Sequence, residues 1–210
     1  AERFSGRNYG AARAIAFQDT RILENRTDQP NVLPEIEARF LGKPNEVLGG
    51  RWSLEASALG LQRFGGDQDM NRTVLTGGWQ RRVITGFGLV NTLDITARAD
   101  AYSTRDRDLA DSATGISGSA NRGRGTVRGH FLTSYPVVKA MEKMQAVIEP
   151  IVALTMSPNI GERFDSIPNE DSQDIQIDTS NLFEPDRFPG YDRIEDRSRI
   201  TYGVRNGLYG

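Results

Sequence analysis

The chain has 210 residues, and its 26 basic and 28 acidic side chains leave a formal net charge of −2, which does not favour a nucleic-acid-binding protein. Cysteine is absent, which excludes disulfides, thiol catalysis and zinc–thiolate sites, and no run of about 18 apolar residues offers a transmembrane helix. Only Lys43, Lys139 and Lys143 are lysines, so the other 23 basic residues are arginines, the side chain suited to bidentate pairing with carboxylates and phosphates.

Apolar and polar side chains alternate along much of the chain, as they do in strands whose two faces meet different surroundings. In chain order the alternation predicts eight strands, over residues 9–18, 32–40, 51–59, 71–84, 89–101, 126–138, 145–156 and 199–206. Turn-rich sequence separates them, notably residues 85–88 and the Gly/Ser/Ala-rich run 111–125. No helix is predicted. The fold class is therefore an all-β antiparallel sheet.

Two all-β architectures fit these strands. Membrane-spanning strands need about 9–11 residues, as most of these have, whereas strands of soluble sheets average about 5–6. The apolar faces are rich in Ala, Gly and Thr, and the opposite faces carry rows of charges, which is typical of an outer-membrane barrel with lipid outside and a polar lumen. Five aromatic residues near predicted strand ends would form an interfacial girdle: Trp52, Trp79, Tyr102, Tyr135 and Tyr202. A soluble β-sandwich with a solvated polar face is the alternative.

No motif in the sequence indicates catalysis or metal binding. The run GRGTVRG at residues 123–129 misses the dinucleotide-binding spacing and is interpreted as a flexible turn. His130 is the only histidine, so a histidine metal cluster is excluded. We therefore expect neither enzyme activity, nor a metal, nor a cofactor.

One long stretch, residues 166–193, has neither a helix period nor a strand period, and its residue order is distinctive. The run IPNEDSQDIQIDTSNLF is followed by DRFPGYDRIE and then by SRITYGVR. The chain resembles the LptD family of lipopolysaccharide-assembly proteins, also called organic solvent tolerance proteins, in their C-terminal β-barrel region. The motif residues in the irregular stretch are Ile167, Pro168, Asn169, Glu170, Asp171, Ser172, Asn181, Leu182, Phe183, Arg187, Phe188, Gly190, Asp192 and Arg193, and the match continues at Glu195, Tyr202, Gly203 and Arg205.

The resemblance implies a component of the translocon that inserts lipopolysaccharide into the outer leaflet of the outer membrane of a Gram-negative bacterium. Its partners would be lipopolysaccharide, membrane lipid, an LptE-type lipoprotein plug and, through a periplasmic jelly-roll domain that this sequence lacks, the LptA bridge. The chain would be a fragment, residues 1–210 forming roughly eight strands of a much larger barrel and residues 157–196 a long extracellular or lumenal loop. A porin or substrate-specific channel is the runner-up, ahead of a soluble β-sandwich binding module.

Alternation also selects the side chains that would line the lumen and meet anionic groups of the passing lipid: Glu35, Glu37, Arg39, Arg51, Glu55, Asp94, Arg98, Asp100, Arg128, His130 and Glu149. Pairing of these residues with one another, simply to hold the wall, is the alternative. The irregular stretch is expected to fold over this face, its acids pairing with wall arginines and Phe183, Phe188 and Tyr191 packing beneath it.

Overall fold

The structure, a computed structural model, describes residues 1–17, 30–63, 68–107, 118–157, 159–161 and 167–210. These residues form one antiparallel sheet of eleven strands. The strands are β1 (Glu2–Ser5), β2 (Asn8–Ile15), β3 (Asn31–Leu41), β4 (Arg51–Gln62), β5 (Asp69–Ile84), β6 (Val90–Arg107), β7 (Gly118–Ser134), β8 (Val137–Ala140), β9 (Gln145–Met156), β10 (Asn159–Gly161) and β11 (Arg199–Tyr209). Within the described residues no helix is long and apolar enough to cross a membrane.

Neighbouring strands follow one another along the chain. The order is β1-β2-β3-β4-β5-β6-β7-β9-β11, with β8 paired to β9 and β10 paired to β7. The all-β antiparallel prediction is thus confirmed. The sheet as described is open, because β1 and β11 lie at opposite ends of this path. Eight strands of eight or more residues correspond to the eight predicted ones. The three additional strands have only three or four residues, too few to show an alternating pattern.

The glycine-rich half of β7 was predicted wrongly. Residues 118–125 and the run 123–129 belong to a strand rather than to a turn, and they pair residue by residue with β6, Gly123 opposite Ala101 and Gly125 opposite Ala99. Strand formation here depends on the partner strand more than on local propensity, which disfavours glycine. The predicted strand 126–138 is also interrupted, since Pro136 separates β7 from β8 and has no backbone N–H to donate.

The two faces of the sheet differ sharply. Along β6 the side chains of residues 93, 95, 97 and 99 are exposed, whereas those of 94, 96, 98 and 100 are partly or fully buried. The exposed face is apolar: Leu54, Leu75, Leu93, Ile95, Val127, Phe131, Val152, Leu154 and Ile200 are each more than a third exposed. The opposite face, called here the charged face, holds Glu37 and Arg39 of β3, Glu55 of β4, Arg98 and Asp100 of β6 and Arg124 of β7, which cross-strand pairing places on one side.

A small core lies on the charged face near one end of the sheet. Leu61, Met70 and Tyr102 pack there with Ile167, which comes from outside the strands. Tyr102 is only 2% exposed, so its assignment to an outward aromatic girdle is wrong. It has the same parity along β6 as Arg98 and Asp100, and cross-strand pairing sets it beside Arg72, on the charged face.

Candidate functional site: a segment docked on the charged face

Residues 167–198, named here the docked segment, precede β11 and contain no strand. They lie against the charged face over a considerable length. Glu170 contacts Arg63, beyond the end of β4, whereas Asp186 contacts Arg128. Arg128 pairs with Thr96, and Thr96 pairs with Gly78 of β5. Gly78 is six residues along β5 from Arg72, a distance of about 20 Å. The contacts of the docked segment therefore extend about this far along the strands.

Two aspartates close the docked segment on itself. The carboxylate of Asp192 accepts hydrogen bonds from the backbone amides of Glu170 (2.7 Å) and Asp171 (3.0 Å). In return, the carboxylate of Asp171 accepts from the amides of Tyr191 and Asp192, both at 3.0 Å. These reciprocal bonds, named here the clasp, join stretches about 20 residues apart and give buried amides the acceptors that a strand ladder would otherwise supply.

Gly190 and Ser172 complete the clasp. Gly190 has φ of +76°, and a Cβ at this position would lie 2.5 Å from Asp171 Oδ1 and 2.7 Å from the Asp171 backbone oxygen. Only glycine fits here, because both the backbone angle and the space exclude a side chain. The Ser172 hydroxyl donates to the Pro189 carbonyl (2.7 Å) and accepts from the Arg193 amide (3.0 Å). Asn169 and Ser172 exchange side-chain and backbone hydrogen bonds at 2.8 and 3.1 Å.

Arg72 of β5 binds the clasp to the sheet. Its Nη1 lies 2.6 Å from Asp171 Oδ2 and 2.6 Å from Asp192 Oδ1. The side chains of Arg72 and Asp192 are 4% and 0% exposed, and the Tyr102 hydroxyl lies 3.1 Å from the same Asp192 oxygen. Asp192 therefore accepts four hydrogen bonds, two within the docked segment and two from the sheet. This saturation is what a buried carboxylate requires.

Two guanidinium donors from β6 and β7 converge on one oxygen, the backbone carbonyl of Tyr191. Arg98 Nη2 donates to it and Arg124 Nη2 donates at 2.9 Å. The Tyr102 hydroxyl, whose single proton is donated to Asp192, lies 3.4 Å from the same carbonyl oxygen. Arg124 Nη1 also donates to the Asp192 carbonyl at 2.7 Å. Both arginines bind the same carboxylate, Asp100, on their other side. The Tyr191 ring packs 5.0 Å from the Arg72 guanidinium, and its hydroxyl donates to Glu55.

The rest of the docked segment is held by further ion pairs. Arg128 Nη2 lies 2.7 Å from Asp186 Oδ2, and Glu195 pairs with both Arg187 and Arg199. The ring of Phe183 lies over Gly203 of β11, where a Cβ would approach it to 3.2 Å. Acids of the segment thus do pair with strand arginines, and an aromatic side chain does pack beneath it.

The ionisation of the clasp carboxylates follows from their surroundings. Burial by itself raises the pKa of Asp171, but the Arg72 charge and the Tyr191 and Asp192 amides outweigh it and hold that pKa below its ordinary value. For Asp192 burial dominates, and its pKa is raised. Burial, together with the hydrogen bond to Glu55, raises the pKa of the Tyr191 hydroxyl to about 12. Arg187 and Arg199 overcome burial at Glu195 and lower the pKa of its carboxyl.

Residues 1–209 match the family model of LptD, described as LPS transport system D. The chain belongs to the LptD family. This is a family of lipopolysaccharide-transport components and not an enzyme family, and the predicted family membership is confirmed. A search of the curated proteins gives no match. No group of three or more His, Cys, Asp or Glu side chains among the described residues is arranged to hold a metal ion.

The structure places the eleven predicted lining residues on the charged face. Glu55, Arg98 and Arg128 contact the docked segment directly. Seven of the others contact side chains of the strands: Glu35 contacts Arg13, Arg39 contacts Glu37 and Glu55, Asp100 contacts Arg98 and Arg124, Asp94 contacts Gln80, His130 contacts Thr155, and Glu149 contacts Arg205. Arg51 is placed on this face by its position opposite Gln80 in the sheet. That they line a lumen stays a prediction.

Four residues at the centre of the site were missed by the sequence analysis. Arg63, Arg72, Tyr102 and Arg124 hold Glu170, the clasp and the Tyr191 carbonyl. The parity of β5 and β6 was sufficient to put Arg72 and Tyr102 on the charged face. No comparable signal existed for Arg124, because the glycines around it concealed the strand.

Proposed function

We propose that this chain forms part of the outer-membrane wall of a lipopolysaccharide translocon, with the docked segment as a plug on its lumenal side. The observation that carries this proposal is the two-faced sheet of an LptD-family chain: the apolar face is left exposed, while the charged face is covered by a segment bound through ion pairs. An exposed apolar face over eight long strands suits contact with lipid hydrocarbon, and a hydrated charged face suits a lumen.

The connections between strands support an orientation. The strand ends that flank the three longest stretches between strands, residues 16–30, 108–117 and 162–198, lie at one end of the sheet, whereas the turn at residues 85–89 lies at the other end. Outer-membrane barrels have short periplasmic turns and longer extracellular loops. We therefore infer that the docked segment, which overlaps the proposed loop of residues 157–196, enters the lumen from the outside.

The partners follow from this placement. The remaining barrel strands would pair with the open edges at β1 and β11, a lipoprotein of the LptE type would fill the lumen beside the docked segment, and LptA would deliver lipopolysaccharide through a periplasmic domain. Lipopolysaccharide would pass along the charged face and leave for the outer leaflet.

Cysteine labelling tests the wall. This chain has no cysteine, so single cysteines are placed at Leu93 and Asp94, neighbours on opposite faces of β6, in the full-length protein in outer membranes, with any cysteine outside these residues replaced by serine. Leu93→Cys is expected to react with a lipid-soluble maleimide and Asp94→Cys with a water-soluble one. A soluble protein would instead leave both positions to the water-soluble reagent or protect Leu93→Cys from both, and either result would refute a membrane wall.

Photo-crosslinking separates the translocon from a porin. A photoreactive amino acid at Ser53, which shares the charged face with Glu55, is expected to crosslink to lipopolysaccharide in living cells, and the same amino acid at Leu54 serves as the matched control facing lipid. Ion conductance without crosslinks at position 53 would favour a diffusion channel and contradict the transport role of this face.

A further inference from the structure

The donors that converge on the Tyr191 carbonyl have the arrangement of an anion-binding site. Arg98 and Arg124 donate to one oxygen, and the Tyr102 hydroxyl, which donates to Asp192 in the docked state, lies 3.4 Å from the same oxygen. A second Arg124 nitrogen points at the adjacent Asp192 carbonyl, 2.7 Å away. Guanidinium groups bind phosphate with two parallel hydrogen bonds. A tetrahedral phosphate presents several oxygens to such a set of donors, whereas the docked segment presents neutral carbonyls.

The chemical difference between a carbonyl and a phosphate favours exchange. Hydrogen bonds to an ionised acceptor are roughly twice as strong as those between neutral groups. Arg98 and Arg124 both bind the carboxylate of Asp100, whereas their bonds to the docked segment go to neutral carbonyl oxygens. In the docked state, therefore, neutral acceptors occupy positions at which a phosphate oxygen would bind more strongly.

The wider charge balance of the charged face points the same way. Among the described residues, the strand-side arginines that contact the docked segment include Arg63, Arg72, Arg98, Arg124, Arg128 and Arg199. Strand acids beside them include Glu55, Asp69 and Asp100. The segment contributes Glu170, Asp171, Asp186, Asp192 and Glu195. If the segment lifts, the sheet keeps its arginines and loses the carboxylates of the segment, which makes this face more positive.

We propose that Arg98, Arg124 and Tyr102 form a phosphate-binding site that the Tyr191 carbonyl occupies at rest. A phosphorylated saccharide lipid passing along the charged face displaces the docked segment by binding there, so that the cargo itself opens the plug. This inference rests on the proposed function for the identity of the cargo. The site itself rests on the convergence of the three side chains.

Gly190 allows the segment to be loosened without altering the proposed site. Gly190→Ala places a methyl group within 2.7 Å of Asp171 atoms, and therefore strains the clasp while leaving Arg98, Arg124 and Tyr102 in place. The matched control is Gly86→Ala in the turn between β5 and β6, where a Cβ meets nothing within 4 Å. Binding is measured on the purified full-length protein with three probes: diphosphorylated lipid A, the same lipid without phosphates, and inorganic phosphate alone.

The Gly190→Ala variant is expected to bind diphosphorylated lipid A about tenfold more tightly than the wild type or Gly86→Ala does, and the dephosphorylated lipid with unchanged affinity. In the Gly190→Ala background, Tyr102→Phe should lower the affinity by at least about tenfold, the effect of one hydrogen bond to a charged acceptor. Arg124→Lys keeps the positive charge but loses the paired guanidinium donors, and should lower the affinity for diphosphorylated lipid A by about tenfold. Tyr102→Phe keeps the buried volume, so the test does not depend on a folded Arg124 variant.

Equal binding of the two lipids, or affinity that neither substitution lowers, would overturn the phosphate site. Binding of inorganic phosphate alone, with the same dependence on Tyr102 and Arg124, would overturn the saccharide lipid as its occupant. If phosphate dependence fails while Leu93→Cys and Asp94→Cys keep their lipid and water labelling, the opening mechanism is wrong and the proposed wall stands.

Discussion

Asp192 is the residue whose replacement is expected to release the docked segment most directly. Its buried carboxylate accepts from Arg72, Tyr102, Glu170 and Asp171. In Asp192→Asn one oxygen becomes an NH₂ group. This group faces either the Arg72 and Tyr102 donors or the two backbone amides, because each carboxylate oxygen serves one of these pairs. Either orientation leaves two donors without an acceptor in a site from which water is excluded.

The magnitude follows from these contacts. Each buried donor without an acceptor costs about 1–3 kcal/mol, and removing one partner of a buried ion pair costs about 3–5 kcal/mol. Arg72 still has Asp171 at 2.6 Å, so the lower end, about 3 kcal/mol, is expected. The substitution cannot destabilise the protein by more than the free energy of docking, because the segment undocks at that point and its groups are then hydrated. Local opening should therefore increase about a hundredfold.

Hydrogen exchange measures this opening at the amides concerned. In Asp192→Asn the amides of Glu170 and Asp171 are expected to exchange about a hundred times faster than in the wild type. Asp174→Asn is the matched control in the same segment, because the Asp174 side chain is 91% exposed and pairs with Arg193. It should change exchange by less than about threefold. Exchange at Glu170 and Asp171 that stays within threefold of the wild type in Asp192→Asn would refute the clasp as the element that holds the segment.

Three further predictions follow from the same contacts. Acidification is expected to undock the segment below about pH 4, because the stabilisation from Asp171 is present above the unfolded pKa and is lost as the pH falls through its lowered pKa. Asp192, with its raised pKa, is protonated first and opposes this release. Anisotropy of a dye at Ile177→Cys, which is 54% exposed, reports the transition, and anisotropy that stays constant as the pH falls from about 5 to about 2 would contradict it. Leu93→Arg should destabilise the protein in membranes by about 2–4 kcal/mol, as measured by denaturant unfolding in vesicles, and no change would contradict the lipid contact. Arg205→Gln should cost less than about 1 kcal/mol in the same assay, because its side chain is 66% exposed, and a larger loss would show that the pair with Glu149 is structural.

Strand parity is the part of this structure that the sequence predicts well. The direction of a side chain in a strand depends only on odd or even position, so the eight long strands and the shared face of Glu55, Arg98 and Arg128 follow from local sequence. The same rule applied to Tyr102 agrees with the structure. The girdle assignment used its position near a strand end instead, and it was wrong because the small core on the charged face covers that end.

The pairing of particular acids with particular arginines is not predictable from local sequence. Asp171 and Asp192 lie 99 and 120 residues from Arg72 in the chain, and Asp186 lies 58 residues from Arg128. Their partners depend on the path of a segment that has neither strand nor helix, and the residues that fix such a path act through single hydrogen bonds rather than through a period. The β7 glycines add to the difficulty, since pairing with β6 makes a strand where composition favours a turn.

The motif residues of the docked segment acquire a physical reason from this structure. Asn169, Asp171 and Ser172 at its beginning, and Gly190 and Asp192 near its end, are the residues that form the clasp. Side-chain hydrogen bonds to backbone groups replace the ladder that an irregular segment lacks. Because most of these bonds lie within the segment, the segment can leave the sheet as one body. Its departure breaks the contacts with the strands, above all those of Arg72, Arg98 and Arg124, and the proposed opening mechanism requires an anionic cargo to replace those of Arg98 and Arg124.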